Sequence, residues 1–345
     1  MNGIPDHLWK MVLLSVALLV SGCGGRLPEG SGSLHEIAVI ADPMEWSKVQ
    51  GLLREGLERT VRTPREEKVF HLEWRSPEDF DFFKSWRNVL LVAQLDGEPQ
   101  MAGLARSLLS EEVVRRIEGG EAYVFVKTDV WARDQVFVLI VAKGRGALME
   151  KILDSRDELF VTLEEHLNRR VLEWVYERGE QQALEQRLLD RYGWTLRVPA
   201  GYVVEKELPE AHFVWMRKRT PDRWIFVWWG PIEPGETVDA QWLRAKRDEI
   251  GTRFYEGDRV ANEHMEVSET VINGKPAVKL SGLWENPEKA VGGPFRCYAV
   301  VDRRTDTVFV VDGAVYAPGI QKEPYLRQVD LIVQTFSTRE VGNRE

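Results

Sequence analysis

The sequence has 345 residues, of which 43% are apolar and 29% are charged, and its formal net charge is −9. This composition predicts a folded globular body, and the length is sufficient for two domains. The acidic balance argues against nucleic acid as a partner, because nucleic-acid binding needs a basic surface. It also argues against electrostatic docking on anionic lipid.

The first feature of the chain is a short apolar run at residues 11–20, MVLLSVALLV. Ten residues are too few to span a bilayer as a helix, which needs about 20. Lys10 precedes the run and small residues follow it, so residues 1–22 are predicted to be a secretory signal peptide. A buried N-terminal helix is the alternative, but the run lacks the alternating faces of such a helix.

The signal segment ends in Val20-Ser21-Gly22-Cys23, which resembles a bacterial lipobox. The resemblance implies cleavage just before Cys23, a diacylglycerol on its thiol and an acyl chain such as palmitate on its new amine. Two or more acyl chains anchor a protein stably in a membrane. Gly24 is not an aspartate, which implies the outer membrane of a bacterial envelope, with the protein facing the periplasm. Residues 23–34 are predicted to comprise the lipidated cysteine and a flexible tether.

The N-terminal domain is predicted to span residues 35–179. Its apolar periodicity indicates a mainly antiparallel sheet flanked by helices, followed by a long helical segment. The predicted elements are a strand at 35–41, a helix opened by Asp42-Pro43, a strand at 68–74, a helix at 77–86, a strand at 88–94, a helix around 102–117, strands at 121–127 and 135–143, and a helical segment at 147–192 broken at Gly179.

The C-terminal domain is predicted for residues 180–345, because strand patterning restarts at Trp194. It is again predicted to be a mainly antiparallel sheet with helices, so the fold class is α+β with two domains. Asn273-Gly274 between two alternating runs is a strong hairpin signal. Both halves end as strand, strand, helix, which leaves open a duplication or two unrelated sheets. The predicted strands are 194–198, 202–205, 213–218, 224–229, 266–272, 276–284, 296–302 and 307–314, with helices at 237–254 and 325–336.

A loop in the second half is the best candidate for a binding site. Its glycines permit positive φ or close backbone approach, and its flanks carry aromatic and acidic side chains. The alternative is a long hairpin connection with demanding turns. The candidate residues are Trp284, Glu285, Gly292, Gly293 and Phe295.

Two other features carry weaker functional hypotheses. Residues 224–229, WIFVWW, suggest either an aromatic surface for sugar rings or an apolar ligand, or a central strand buried on both faces. Cys297 alternates with apolar residues, which predicts a buried small side chain; a nucleophilic thiol would need His212 or His264 nearby. No Cys/His cluster with metal-ligand spacing occurs, so neither a metal nor another cofactor is expected.

Several stretches occur in an order that characterises one family: the strand and helix around Trp46, then 87–92 (RNVLLV), 131–135 (WARDQ), 198–202 (VPAGY), 282–285 (GLWE), 292–295 (GGPF) and 315–318 (VYAP). Together they resemble the bacterial lipoprotein family catalogued as domain of unknown function 4837, over nearly the whole mature chain. The resemblance implies a lipid-anchored envelope protein and implies no activity. The order of elements in the second half also resembles the PsbP/Mog1-type fold.

The sequence therefore predicts a membrane-anchored lipoprotein of unknown biochemical role, a non-catalytic binding or assembly module of the cell envelope. Its partners would be the membrane, through the lipid anchor, and envelope proteins or glycans. Two alternatives stay open. One is a carrier of a glycan or apolar ligand in an aromatic cleft, and the other is an envelope hydrolase, which would need a converging set of histidines or carboxylates.

The lipobox generates the first prediction. We expect Cys23→Ala to move the protein from the membrane fraction to the soluble fraction, because no thiol remains at that position to receive diacylglycerol. Cell fractionation with immunoblotting measures the change. Cys297→Ala removes the other cysteine and should leave the protein in the membrane fraction. Membrane retention of Cys23→Ala with normal signal cleavage would contradict the lipid anchor.

Overall fold

The structure is a computed structural model that describes residues 26–262 and 265–339. The predicted signal peptide, Cys23 and the start of the tether therefore lie outside the described residues. Within those residues, no helix is both long and apolar enough to span a membrane.

The chain up to the longest helix alternates strands and helices, as its apolar periodicity predicts. A short 3-10 turn at Pro77–Asp79 precedes α2. In chain order the elements are β1 (Glu36–Ile40), α1 (Pro43–Leu57), β2 (Thr60–Arg62), β3 (Glu66–Lys68), β4 (His71–Arg75), α2 (Phe80–Phe83), β5 (Asn88–Gln94), α3 (Pro99–Ser107), α4 (Glu111–Glu118), β6 (Tyr123–Thr128), β7 (Val136–Ala142) and α5 (Arg145–Tyr176).

The remainder of the chain is richer in strands. It continues with α6 (Gln182–Tyr192), β8 (Trp194–Thr195), β9 (Val203–Leu208), β10 (Phe213–Lys218), β11 (Asp222–Pro231), α7 (Ala240–Phe254), β12 (Arg259–Val260), β13 (Glu266–Ile272), β14 (Lys275–Asn286), β15 (Val291–Asp302), β16 (Thr307–Tyr316), α8 (Glu323–Val333) and β17 (Ser337–Thr338).

The chain divides into two compact units. The first comprises the described residues up to Leu57 together with Phe70–Leu163, and the second comprises Glu58–Val69 and the described residues from Glu164 onward. The division falls inside α5, whereas the sequence predicts a boundary at Gly179. Gly179 has a φ of 102° just beyond the end of α5. The predicted boundary thus lies just beyond the end of α5.

The first unit contains a mostly parallel sheet with strand order β4-β1-β5-β7-β6. Only β6 runs antiparallel to its neighbour. This corrects the prediction of a mainly antiparallel sheet for this domain. Helices connect β1 to β4 and β4 to β5. Each helical crossover carries the chain back to the end of the sheet at which the previous strand began, so the next strand runs parallel to it. Both β5 and β7 are almost completely buried, as expected of central parallel strands.

The second unit contains a large antiparallel sheet with strand order β12-β14-β15-β16-β11-β10-β9, and β13 also pairs with β14. This sheet and its helices confirm the α+β class. The hairpin between β13 and β14 turns at Asn273 and Gly274, whose φ angles are 45° and 77°. The two sheets have different topologies, so the structure contradicts a duplication.

Helices cover both faces of the second sheet. On one face α7 contributes Leu243, Ile250 and Phe254 to a core with aromatic residues of the sheet. On the other face α8 approaches β16 at Gly313, where an added Cβ would lie 2.9 Å from the Cβ of Val329. Gly313 therefore allows the helix and the strand to pack closely.

The hairpin β2–β3 belongs to the second unit and caps α8. Glu67 Oε2 accepts hydrogen bonds from the backbone N–H groups of Lys322, at 2.6 Å, and Glu323, at 2.7 Å. Lys322, the N-cap residue of α8, makes no side-chain cap hydrogen bond itself. The carboxylate of a distant hairpin thus satisfies N–H groups that the start of a helix leaves without partners.

A buried ion pair joins α7 to the centre of the second sheet. Arg247 Nε donates to Asp312 Oδ2 at 2.7 Å, and the two side chains are 6% and 0% exposed. The Arg247 guanidinium also lies 3.6 Å from the ring centroid of Phe295. Two desolvated charges in this position stabilise the fold only while both are present.

Separating that pair gives the second prediction. Arg247→Met leaves the Asp312 carboxylate buried without its cation, and we expect a loss of about 3–5 kcal/mol in the free energy of unfolding. The double variant Arg247→Met/Asp312→Val removes both charges and should lose clearly less than the single variant. Urea denaturation measures the wild type, Arg247→Met, Asp312→Val and the double variant, which together complete the cycle. Additive losses from the two substitutions would show that the two charges are not coupled.

A second carboxylate, Asp302, holds the end of β15. It is 2% exposed. Its Oδ2 pairs with Lys275 Nζ at 2.9 Å and accepts a hydrogen bond from Thr338 Oγ1 at 3.0 Å. The backbone N–H of Arg304 also donates to it, at 3.1 Å. Burial alone would raise the pKa of Asp302, but the hydrogen bonds from Arg304, Lys275 and Thr338 outweigh it and hold the pKa well below the ordinary value.

The lowered pKa of Asp302 gives the third prediction, with a definite sign. In the unfolded chain this carboxyl takes up a proton near pH 3.9, whereas the folded protein must be brought to lower pH. Its stabilisation is therefore complete above about pH 5 and is lost as the pH falls towards the folded pKa. We expect the difference in free energy of unfolding between the wild type and Asp302→Asn to shrink from pH 5 to pH 2 in urea titrations. A constant difference over that range would contradict this assignment.

Candidate functional site

The second unit carries a cavity of about 410 Å³ with aromatic walls. Volumes of roughly 300–1,000 Å³ are typical of sites for small ligands. We call this cavity the aromatic cleft. Its aromatic lining residues are Trp215 on β10, Trp224 on β11, Phe254 and Tyr255 at the end of α7, Trp284 on β14 and Tyr316 on β16.

The strand alternation brings these side chains to one face of the sheet. Trp215 pairs with Phe226 across β10 and β11, and Arg217 pairs with Trp224. Successive residues of a strand point to opposite faces, so Trp215 and Arg217 share a face with Trp224. Tyr255 reaches this face from the end of α7.

The aromatic rings contact one another in tilted and edge-to-face pairs. Trp215 and Tyr255 have centroids 4.9 Å apart at 72°, and Trp224 and Trp284 have centroids 5.2 Å apart at 61°. The ring centroids of Trp284 and Tyr316 are 6.2 Å apart. Such pairs add to the stability gained by burial and hold each ring in a defined orientation. These ring contacts therefore fix the shape of the cleft.

Two polar atoms on these rings are buried without a hydrogen-bond partner. They are the indole Nε1 of Trp215 and the hydroxyl of Tyr255. Burial raises the pKa of Tyr255 well above its ordinary value, and the charges of Asp312 and Asp258 raise it further. The phenol consequently keeps its proton and can donate it in a hydrogen bond. A buried donor without an acceptor costs about 1–3 kcal/mol, which a bound acceptor would recover.

Charged side chains of both signs also line the cleft. Lys206 Nζ lies 5.3 Å from the Trp215 ring centroid, and Arg217 Nε donates to Asp222 Oδ1 at 2.7 Å. Asp258 accepts from Asn286 Nδ2 at 2.7 Å. Burial raises the pKa of Asp258 above its ordinary value, although the Asn286 hydrogen bond lowers it. The cleft thus combines flat apolar faces with hydrogen-bonding groups.

Of the five residues predicted for the binding loop, the structure places Trp284 in the cleft wall. The residue is 4% exposed, and its Nε1 donates to the carbonyl oxygen of Val315 at 3.3 Å. Trp284 is therefore a buried part of the wall whose polar atom is already satisfied.

The two loop glycines serve backbone packing. A Cβ on Gly292 would lie 2.6 Å from the Trp284 carbonyl oxygen, and one on Gly293 would overlap the carbonyl oxygen of Val315. Neither glycine has a positive φ. Close approach of neighbouring strands, rather than a turn conformation, requires glycine at both positions.

The remaining loop residues lie outside the cleft lining. Glu285 accepts from Arg259 Nε at 2.9 Å, and Phe295 is buried in the core beneath Arg247. Asn286, which follows Glu285, is 1% exposed, because its side chain donates hydrogen bonds to Asp258 and to the backbone of Glu256.

Burial decides between the alternatives for residues 224–229 and for Cys297. Residues 224–227 are buried in the centre of the sheet, and of residues 224–229 only Trp224 lines the cleft. Cys297 is completely buried, and this burial raises the pKa of its thiol well above the ordinary value. A thiol in this state is a small core side chain.

Sequence reasoning missed Trp215, Tyr255 and Asp258 as cleft residues. The alternation of residues 213–218 placed Trp215 on one face of a strand, which was the available signal. Tyr255 and Asp258 follow the end of a helix, where periodicity does not indicate the direction of a side chain.

Comparisons with known proteins match two different family models to two separate parts of the chain. Residues 181–335 match the model of the family described as domain of unknown function (DUF4837). Residues 30–174 match a different model, domain of unknown function (DUF8532). The sequence analysis predicts likeness to this family over nearly the whole mature chain, whereas the family model matches only the C-terminal part. A search of curated proteins finds no match.

Solved structures show only distant similarity. A mutant of protein Mog1 has 14% identity and a TM-score of 0.31, covering 43% of this chain and 92% of that chain. The Ran-binding protein Mog1p of Saccharomyces cerevisiae has 15% identity and a TM-score of 0.29, covering 42% and 90%. LpqN, involved in cell envelope biogenesis of Mycobacterium tuberculosis, has 16% identity and a TM-score of 0.28, covering 43% and 83%.

The TM-scores of these similarities are too low to support an argument about function. The family match is the more specific finding, since it covers α6 to α8 and includes the strands that build the aromatic cleft. The family finding for this chain is therefore a match of residues 181–335 to the model described as domain of unknown function (DUF4837).

Proposed function

We propose that this protein is a non-catalytic binding module of the bacterial envelope, tethered to the outer membrane by lipid on Cys23, and that its aromatic cleft binds a glycan. The observation that carries the ligand proposal is the pair of buried, unpartnered polar atoms on Trp215 and Tyr255. The lipid anchor is supported by the lipobox sequence alone.

The chemistry of the cleft favours a sugar over a purely apolar ligand. Sugar rings present flat C–H faces that pack on aromatic rings, and their hydroxyl groups both accept and donate hydrogen bonds. The Trp215 N–H and the Tyr255 hydroxyl need acceptors, and Glu205 and Asp258 offer acceptors of their own at the same cavity. An apolar ligand would leave these polar groups buried and unpaired, which disfavours it.

The fourth prediction separates binding from stability. Tyr255→Phe and Trp215→Phe each keep an aromatic ring and remove one unpartnered polar atom. We expect either variant to keep its free energy of unfolding, or to gain up to about 1 kcal/mol, because a buried unsatisfied group disappears. Binding of chitotetraose, a tetramer of N-acetylglucosamine, should weaken about tenfold when measured by isothermal titration calorimetry.

Trp242→Phe is the matched control, because Trp242 Nε1 already donates to Glu236 Oε1 at 2.5 Å and lies outside the cleft lining. It should lose stability and leave chitotetraose binding unchanged. If the wild type binds the apolar probe 1-anilinonaphthalene-8-sulfonate in the cleft but not chitotetraose, the cleft is an apolar carrier site. Binding of neither probe contradicts the proposal.

A further inference from the structure

The first unit has a crevice at the carboxyl ends of β1 and β5. After β1 the chain passes through α1 to β4 on one side of the sheet. After β5 it passes through α3 and α4 to β6 and β7 on the other side. Two adjacent parallel strands whose connections diverge leave a crevice between them, and ligands of open α/β sheets bind at such positions.

A cavity of about 280 Å³ lies at this position. We call it the switch-point crevice. Its polar lining consists mainly of Asp42 and Glu45 after β1, Gln94, Asp96 and Glu98 at the end of β5, and Arg145 at the start of α5. Its apolar lining includes Val92, Ala93 and Met101.

Glu45 is the one carboxylate of the crevice that is deeply buried, with 3% of the residue exposed. Its Oε2 receives hydrogen bonds from Gln94 Nε2 and from Arg145 Nε, the latter at 3.2 Å. Its Oε1 is buried and has no hydrogen-bond partner. A bare carboxylate oxygen in this environment is an acceptor for an N–H or O–H group of a ligand.

The neighbouring charges select a positively charged donor. Four carboxylates line the crevice, on Asp42, Glu45, Asp96 and Glu98, against the single guanidinium of Arg145. Asp42 is already used, since its Oδ1 accepts from the backbone N–H groups of Met44 and Glu45. The remaining negative charge exceeds what Arg145 can balance, which favours a cation.

The apolar part of the lining limits the kind of cation. A metal ion prefers a shell composed of oxygen or nitrogen ligands. Here the acidic groups share the cavity with Val92, Ala93 and Met101, which suit a short carbon chain. We propose that the switch-point crevice binds a small aliphatic ammonium compound, whose N–H donates to Glu45 Oε1 and whose carbon chain packs on these three side chains.

The test is a calorimetric titration of the full-length protein with putrescine and with cadaverine at low ionic strength. Glu45→Gln keeps the shape of the side chain and removes its charge, and we expect diamine binding to weaken by at least tenfold. Glu55→Gln is the matched control: Glu55 lies on the same helix, is exposed and pairs with Arg156. It should bind the diamines as the wild type does.

A second variant, Arg145→Gln, should change diamine affinity in the opposite direction. It keeps the proposal testable if Glu45→Gln fails to fold. Arg145 is half-exposed, so Arg145→Gln should fold normally while it removes the cation that competes for Glu45. We expect diamine binding to strengthen severalfold. Failure of both diamines to bind the wild type would overturn the proposal, as would equal binding to the Glu45→Gln protein. Mg²⁺ binding that depends on Glu45 without diamine binding would also overturn it.

Discussion

The ion pair between Arg247 and Asp312 fixes the helix on which the aromatic cleft depends. It joins α7 to the middle of β16, and both charges are removed from water. Tyr255, which forms one wall of the cleft, directly follows the end of the same helix. A rotation of α7 by one position would carry Tyr255 away from Trp215 and would separate the two charges. The pair thus holds α7 in the position on which the geometry of the cleft depends.

Unsatisfied polar atoms mark both sites that we propose. The Trp215 indole and Tyr255 hydroxyl in the second unit, and one Glu45 oxygen in the first, are buried without partners. Most buried polar groups in proteins are satisfied, so we take these exceptions beside a cavity as support for the two binding proposals. The two sites differ in chemistry, since one presents aromatic rings with donors and the other presents carboxylates.

The sequence predicts features whose cause is local. The strand at residues 88–94 has the predicted bounds, and Asn273-Gly274 forms a hairpin because those two residue types tolerate positive φ. Strand partnership is not local, which is why the parallel pairing of β1 with β5 was not predicted. The sequence left open whether Gly292 and Gly293 provide positive φ or close backbone approach, and in the structure a neighbouring strand approaches closely at both positions. The cleft brings Trp215 and Tyr255 together across 40 positions of sequence, which no periodicity reveals.

The capping of α8 by Glu67 has a consequence for synthesis on the ribosome. Glu67 accepts hydrogen bonds from the N–H groups of Lys322 and Glu323, which lie 255 and 256 positions later in the sequence. The hairpin β2–β3 is therefore synthesised about 250 residues before the helix that it caps. Domains generally fold as units in the order of synthesis, and contacts of large sequence separation form slowly. The contact between Glu67 and α8 can form only after residue 323 has been made, so the packing of this hairpin in the second unit depends on a segment synthesised much later.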